Sequence, residues 1–165
     1  MPNNGYQQVF SESVSAVTAT ASVEVGSRRR EALNEYVYVY NMSTSTIDVG
    51  LGAVYSTSSG YSVTVSSITG DACAGVVKNA QIGPEEYGWL CTKGPCSCEV
   101  GGDDVGGRTA ATGDILALMS VGEFYPIVAG SAGTGTTWSA FQACAVCVET
   151  IATGASGTAM LNCNG

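Results

Sequence analysis

Punctuation constrains this chain more than any other feature. From Glu35 onward, short apolar runs are cut by turn chemistry about every 8–12 residues, and no segment sustains a helical 3.6-residue period. Tyr36-Val37-Tyr38-Val39-Tyr40 places three Tyr on one side and two Val on the other, so both faces of that strand must be covered, by core and by a neighbour or a partner subunit. Ile47, Val49, Leu51, Ala53 and Tyr55 alternate next. Thr57-Ser58-Ser59-Gly60 is a turn, and Tyr61, Val63 and Val65 open another strand. Ala74–Val77 and Tyr87–Thr92 flank the turn Ile82-Gly83-Pro84-Glu85. Ile115–Val121, Phe124–Val128, Phe141–Ile151 and Thr158–Leu161 complete the set. Usage agrees: 19 Val stand against 6 Leu, with 22 Gly and 34 Ser plus Thr, a balance that suits pleated strands and tight turns. The expected fold is all-β, a single β-barrel or β-sandwich domain.

Residues 1–34 differ from the body, residues 35–165. Val17, Ala19, Ala21, Val23 and Val25 alternate strictly with Thr18, Thr20, Ser22 and Glu24, which predicts a strand with one apolar face. Gly26-Ser27-Arg28-Arg29-Arg30-Glu31 follows and carries three of the six basic residues. The segment is expected to be an extended N-terminal arm ending in a basic loop; an ordinary edge strand with a solvated loop is the other reading.

Charge and composition remove whole classes of function. With 14 acidic and 6 basic residues the formal net charge is −8, which disfavours binding to nucleic acid by phosphate neutralisation. There is no His, so the commonest general base and neutral metal ligand are missing. No Gly-x-Ser-x-Gly elbow or phosphate-loop spacing occurs, and no enzyme activity or cofactor is expected. No run of 18 apolar residues is present, so no membrane partner is expected. The first eight residues lack the basic start and apolar stretch of a signal peptide, so synthesis in a reducing cytosol is expected. Asp103-Asp104 and Glu85-Glu86 read as solvated turns rather than cation sites.

Seven Cys remain: Cys73, Cys91, Cys96, Cys98, Cys144, Cys147 and Cys163. Their spacing is not that of a zinc ribbon. Cys144 and Cys147, three apart on a strand, are expected to face opposite sides, and joint chelation would need a bulge. Most of the set reads as small apolar packing. Cys91, Cys96 and Cys98, expected to sit around a Gly94-Pro95 turn, form the possible disulfide set, to be closed only in an oxidising medium.

Three stretches together resemble the small all-β decoration, or cement, proteins of tailed-phage heads. They are Tyr36–Asn41 after a Gly-Ser-Arg loop; Ala74-Gly75-Val76-Val77 with Tyr87-Gly88-Trp89-Leu90 and Gly94; and Gly113-Asp114-Ile115-Leu116 with Val148–Gly154. The Cys91–Cys98 segment departs from that pattern. The resemblance implies a barrel or sandwich, often trimeric, on the outer surface of the capsid, assembled in the host cytoplasm, with the major capsid protein as partner. It carries no catalytic residues. Under it, Val17, Val23, Val25, Arg28, Arg29, Arg30, Tyr36, Tyr38 and Tyr40 are the expected capsid or subunit contacts. The alternative is a phage fibre or tail module that binds host-surface carbohydrate through Tyr55, Tyr61, Trp89 and Trp138; a redox or zinc protein built on the Cys set is a third reading.

Overall fold

The computed structural model describes residues 12–56, 60–65, 72–101, 109–127 and 143–163. Residues 1–11, the Asp103-Asp104 loop, Trp138 and Phe141 lie outside that set. Ten strands and one 3-10 turn, Ser120–Gly122, make up the regular structure of the described residues: β1 Arg28–Glu31, β2 Asn34–Asn41, β3 Gly52–Tyr55, β4 Ser62–Val65, β5 Cys73–Val77, β6 Tyr87–Glu99, β7 Ile115–Leu118, β8 Phe124–Ile127, β9 Ala143–Cys147 and β10 Ser156–Asn162. The protein is all-β.

The strands form one sheet that curls twice. β2, β4, β3, β5 and β6 close on themselves, because β2 pairs with both β4 and β6. Only the β2–β4 contact in this ring is parallel. The second curl runs β6, β10, β9, β7, β8 and returns to β6 through a parallel bridge between Val100 and Phe124. The 13-residue strand β6 is therefore shared: its first half serves the first ring and its second half pairs with β10.

Alternation explains each lining. Val37, Val39, Ala53, Val63, Ala74, Val77 and Leu90 form one core with Ile47 and Ile82, which bridge each other across two connections. The second core holds Cys98, Val100, Leu116, Leu118, Phe124, Ala145, Cys147, Ile151, Ala159 and Leu161, and it continues to Tyr36, Tyr38 and Trp89 on the other face of β2 and β6. Gly75 is needed where β5 crosses β6: a Cβ there would sit 2.8 Å from the Cys91 carbonyl oxygen and 2.9 Å from the Leu90 Cβ.

Four local expectations are corrected. Val17–Val25 is not a strand; it runs through bends and turns, touching the sheet through one bridge, Thr18 to Tyr87. Its alternation reflects Val17, Val23 and Val25 turning onto the body, not a strand pairing along its length. The Arg28–Glu31 segment is a strand, not a loop. A two-residue turn at Ala32-Leu33, with Ala32 at φ 50°, folds it back on β2, pairing Arg29 with Tyr36 and Glu31 with Asn34. Gly94-Pro95 is not a turn but lies inside β6. Pro95 has no N–H to give, and its carbonyl is held by Asn34 Nδ2 and Lys78 Nζ, each at 2.9 Å. Finally, Cys144 and Cys147 do not divide between faces. Leu116 pairs with Ala145 and Ala117 with Ala143, so Cys144 is the extra residue of a β-bulge, and both thiols are buried.

Candidate interaction surfaces

The Tyr-rich face of β2 is covered by the chain itself. Tyr38 is 1% exposed, its ring lying 5.0 Å from Trp89 and 6.1 Å from Tyr87 between centroids. The arm is laced over it. Gly26 N–H donates to the Tyr38 carbonyl at 2.7 Å, and Tyr38 N–H donates to the Ser27 carbonyl at 2.9 Å. The Tyr38 hydroxyl accepts from Ser22 N–H at 3.3 Å and shares hydrogen bonds with the Ser22 and Thr18 hydroxyls at 3.1 and 3.4 Å. Val23 and Val25 pack on the core beneath, and Val17 on the first ring. Of the nine expected contact residues, Arg28 and Arg30 are exposed, Val17, Val23, Val25, Arg29 and Tyr40 are half-buried, and Tyr36 and Tyr38 are buried.

The three Arg sit on β1, whose alternation splits them. Arg29 turns toward the arm, where its guanidinium donates to the Glu12 carbonyl and pairs with Glu31 at 2.6 Å. Arg28 and Arg30 face the opposite way. With Glu35 and Tyr36 the three line a shallow hollow of about 190 Å³.

A surface that the sequence reading missed lies on the outside of the second ring. Register places Ile127 opposite Ile115, Ile115 opposite Val146, Val146 opposite Met160, and Met160 opposite Pro95. These five side chains form a row across β8, β7, β9, β10 and β6, about 19 Å long at ordinary strand spacing. Ile115, Val146 and Met160 are 46%, 43% and 46% exposed, and Val148, just past the end of β9, is exposed too. The row carries no charge in a chain of net charge −8. At its Pro95 end stands the turn with Leu33, 74% exposed, whose carbonyl closes on Gly94. Apolar residues were visible at 115, 146 and 160, but only the register of distant strands aligns them.

A second concave surface is aromatic. Tyr40, Tyr61 and Tyr87, with Val25, Gly60 and Ser62, line an open pocket of about 450 Å³. The Tyr40 and Tyr87 rings meet at 4.9 Å and 41°, and the Tyr61 ring lies against Gly26, at φ +92°, where any Cβ would strike it. Of the four aromatics expected to be exposed, Tyr61 is 40% exposed, Tyr55 half-buried and Trp89 buried.

All seven Cys are buried free thiols. Cys91 and Cys96 interact directly. Hydrogen bonding from Cys96, and then from Asn34 and a nearby Lys78, holds the Cys91 thiol below the ordinary range, while its partner Cys96 is pushed up. Cys98 turns to the second core, where burial raises it. Cys73 lies 3.5 Å from Cys163, and hydrogen bonds to Cys144 and Cys163, with burial, push it well up. Thiols raised in this way are poor nucleophiles and ligands. No group of three Cys, Asp or Glu among the described residues is arranged to hold a metal ion. Among the described residues, no helix is long and apolar enough to cross a membrane.

No family model matches this chain, and no curated protein does. Among solved structures it is similar to the N base of the head fiber gp8.5 of bacteriophage phi29, with a TM-score of 0.52 and 12% identity, over 77% of this chain and 94% of that one. The two share a fold.

Proposed function

We propose that this chain is a structural protein of a phage virion, a decoration or cement protein that binds the outside of the head and ties the major capsid protein lattice together. The observation that carries the reading is the uncharged apolar row Ile127–Ile115–Val146–Met160–Pro95 on an otherwise acidic chain. The centres of protein interfaces are depleted in charge, and an exposed row of this kind is costly on a surface with no partner. The shared fold with a head fiber base and the resemblance to head decoration proteins both point to a virion. Arg28 and Arg30 supply a basic margin for an acidic neighbour. The protein works by adhesion, without catalysis, cofactor or nucleic acid. Self-association as a trimer belongs to the same proposal and is read by light scattering at micromolar concentration.

The test is occupancy. Heads lacking the protein are incubated with wild-type chain, Val146→Glu, Met160→Glu, or an Arg28→Ala/Arg30→Ala double variant, and bound protein is measured by gel densitometry. Each Glu variant is expected to bind at least about 10-fold more weakly, since a charge is forced into an apolar contact. The double Arg variant should lose affinity modestly and show a weaker salt dependence. Full occupancy by both Glu variants would overturn the assignment of this face.

A further inference from the structure

The tyrosine pocket has no part in shell binding as proposed above, and its chemistry is different. Four separate segments build it: Val25 from the arm, Tyr40 from β2, Gly60, Tyr61 and Ser62 from the β3–β4 hairpin, and Tyr87 at the start of β6. Their convergence is fixed by the backbone. Thr18 and Tyr87 exchange two hydrogen bonds, at 2.8 and 3.1 Å, and Tyr40 N–H reaches the Tyr61 carbonyl at 3.4 Å. Gly26, with no side chain, lets the Tyr61 ring lie flat against the arm. The rings of Tyr55 and Tyr61 meet edge-on at 5.8 Å, which braces the exposed ring from behind.

We infer that this pocket binds a neutral saccharide. Two rings meeting at an angle with a third alongside offer flat apolar faces to the C–H surface of a sugar ring. Tyr40, Tyr61 and Tyr87 also bring phenol hydroxyls to the lining, groups that can serve sugar hydroxyls as donors or acceptors. A few polar groups on an aromatic lining is the usual make-up of a small-ligand site. No described lining residue is charged, and the chain is net −8. The described lining therefore offers no cation to pair with an anionic ligand. A quaternary ammonium, which aromatic rings also attract, finds no carboxylate among the described lining residues to balance it. About 450 Å³ accommodates one sugar ring with part of a second.

The experiment uses the full chain free of capsids, so its outcome is separate from that of the occupancy assay. Saturation-transfer NMR is run with the methyl glycosides of glucose, galactose, N-acetylglucosamine and rhamnose, and with choline chloride. At least one glycoside is expected to receive saturation, with a dissociation constant in the millimolar range usual for a single sugar ring. Tyr61→Phe should keep binding within a few-fold, whereas Tyr61→Ala and Tyr61→Leu should weaken it at least about 10-fold, a loss of one stacking face. Tyr61→Leu retains apolar bulk, and unchanged thermal unfolding shows that either variant is folded. Transfer to none of the glycosides, transfer to choline alone, or binding that survives Tyr61→Leu would overturn the inference.

Discussion

Beside its backbone bonds and the packing of its valines, the arm is tied down by the Tyr38 hydroxyl, and Tyr38→Phe tests that tie. The substitution removes a single oxygen. It leaves the ring contacts with Trp89 and Tyr87 in place, and also the two backbone hydrogen bonds to Gly26 and Ser27. What is lost is the hydroxyl's bonds to Ser22 N–H at 3.3 Å, the Ser22 hydroxyl at 3.1 Å and the Thr18 hydroxyl at 3.4 Å. These are long, partly buried bonds, and each falls near the bottom of the net 0.5–1.5 kcal/mol range. Ser22 and Thr18 can also turn to water. The summed loss should be about 1–2 kcal/mol, which for a chain of this size lowers Tm by roughly 2–8 °C. Local loosening should exceed the global loss, because the described arm pairs with the sheet through a single bridge, Thr18 to Tyr87. Digestion with a glutamate-specific protease reads this directly, since Glu24 lies in the arm. Cleavage after Glu24 should accelerate by about 5–30-fold for 1–2 kcal/mol of local opening, in the regime where cleavage follows the open population. Equal Tm and equal cleavage in the two proteins would refute the account of how the arm is fixed.

Gly75→Ala forces a Cβ to within 2.8 Å of the Cys91 carbonyl at a buried strand crossing, so it should cost at least about 2 kcal/mol in urea unfolding. Tyr55→Phe should be neutral or stabilise by up to about 1 kcal/mol, because the buried Tyr55 hydroxyl has no hydrogen-bond partner among the described residues. Burial raises the Glu99 carboxyl above its ordinary value, with Glu123 and Asp48 adding repulsion. A raised folded-state pKa favours folding below the unfolded value and loses that advantage as pH rises through the folded one. Glu99→Gln should therefore raise Tm at pH 7 and leave it little changed below about pH 4, the unfolded carboxylate range, as scanning calorimetry at both values will show.

Local pattern revealed the all-β class and the position of most strands. The alternation of Tyr36–Tyr40 marked β2, and its demand for cover on both faces was sound: the barrel interior takes Val37 and Val39, and the arm, Tyr87 and Trp89 lie over the Tyr side. The turn that leads into β7 is closed by Asp114, whose carboxylate accepts from Ala111 N–H at 2.8 Å. What local pattern could not show was pairing. Arg28-Arg29-Arg30 reads as a solvated loop by composition, yet the hairpin with Asn34–Val37 makes it a strand irrespective of its side chains. The arm shows the reverse, a strand-like pattern with one bridge to the sheet. β6 runs through Gly94 and Pro95 because Asn34 and Lys78 satisfy a carbonyl there. The bulge at Cys144 depends on how β7 meets β9. The row on the second ring joins residues 95, 115, 127, 146 and 160, and no window of sequence contains them.

The most direct test of the virion reading is cryo-imaging of native particles. The account predicts a two-ringed all-β density in many copies on the outer face of the head shell, with Ile115, Val146 and Met160 turned toward the major capsid protein. Density confined to the tail, or a shell without this fold on its outer face, would contradict it.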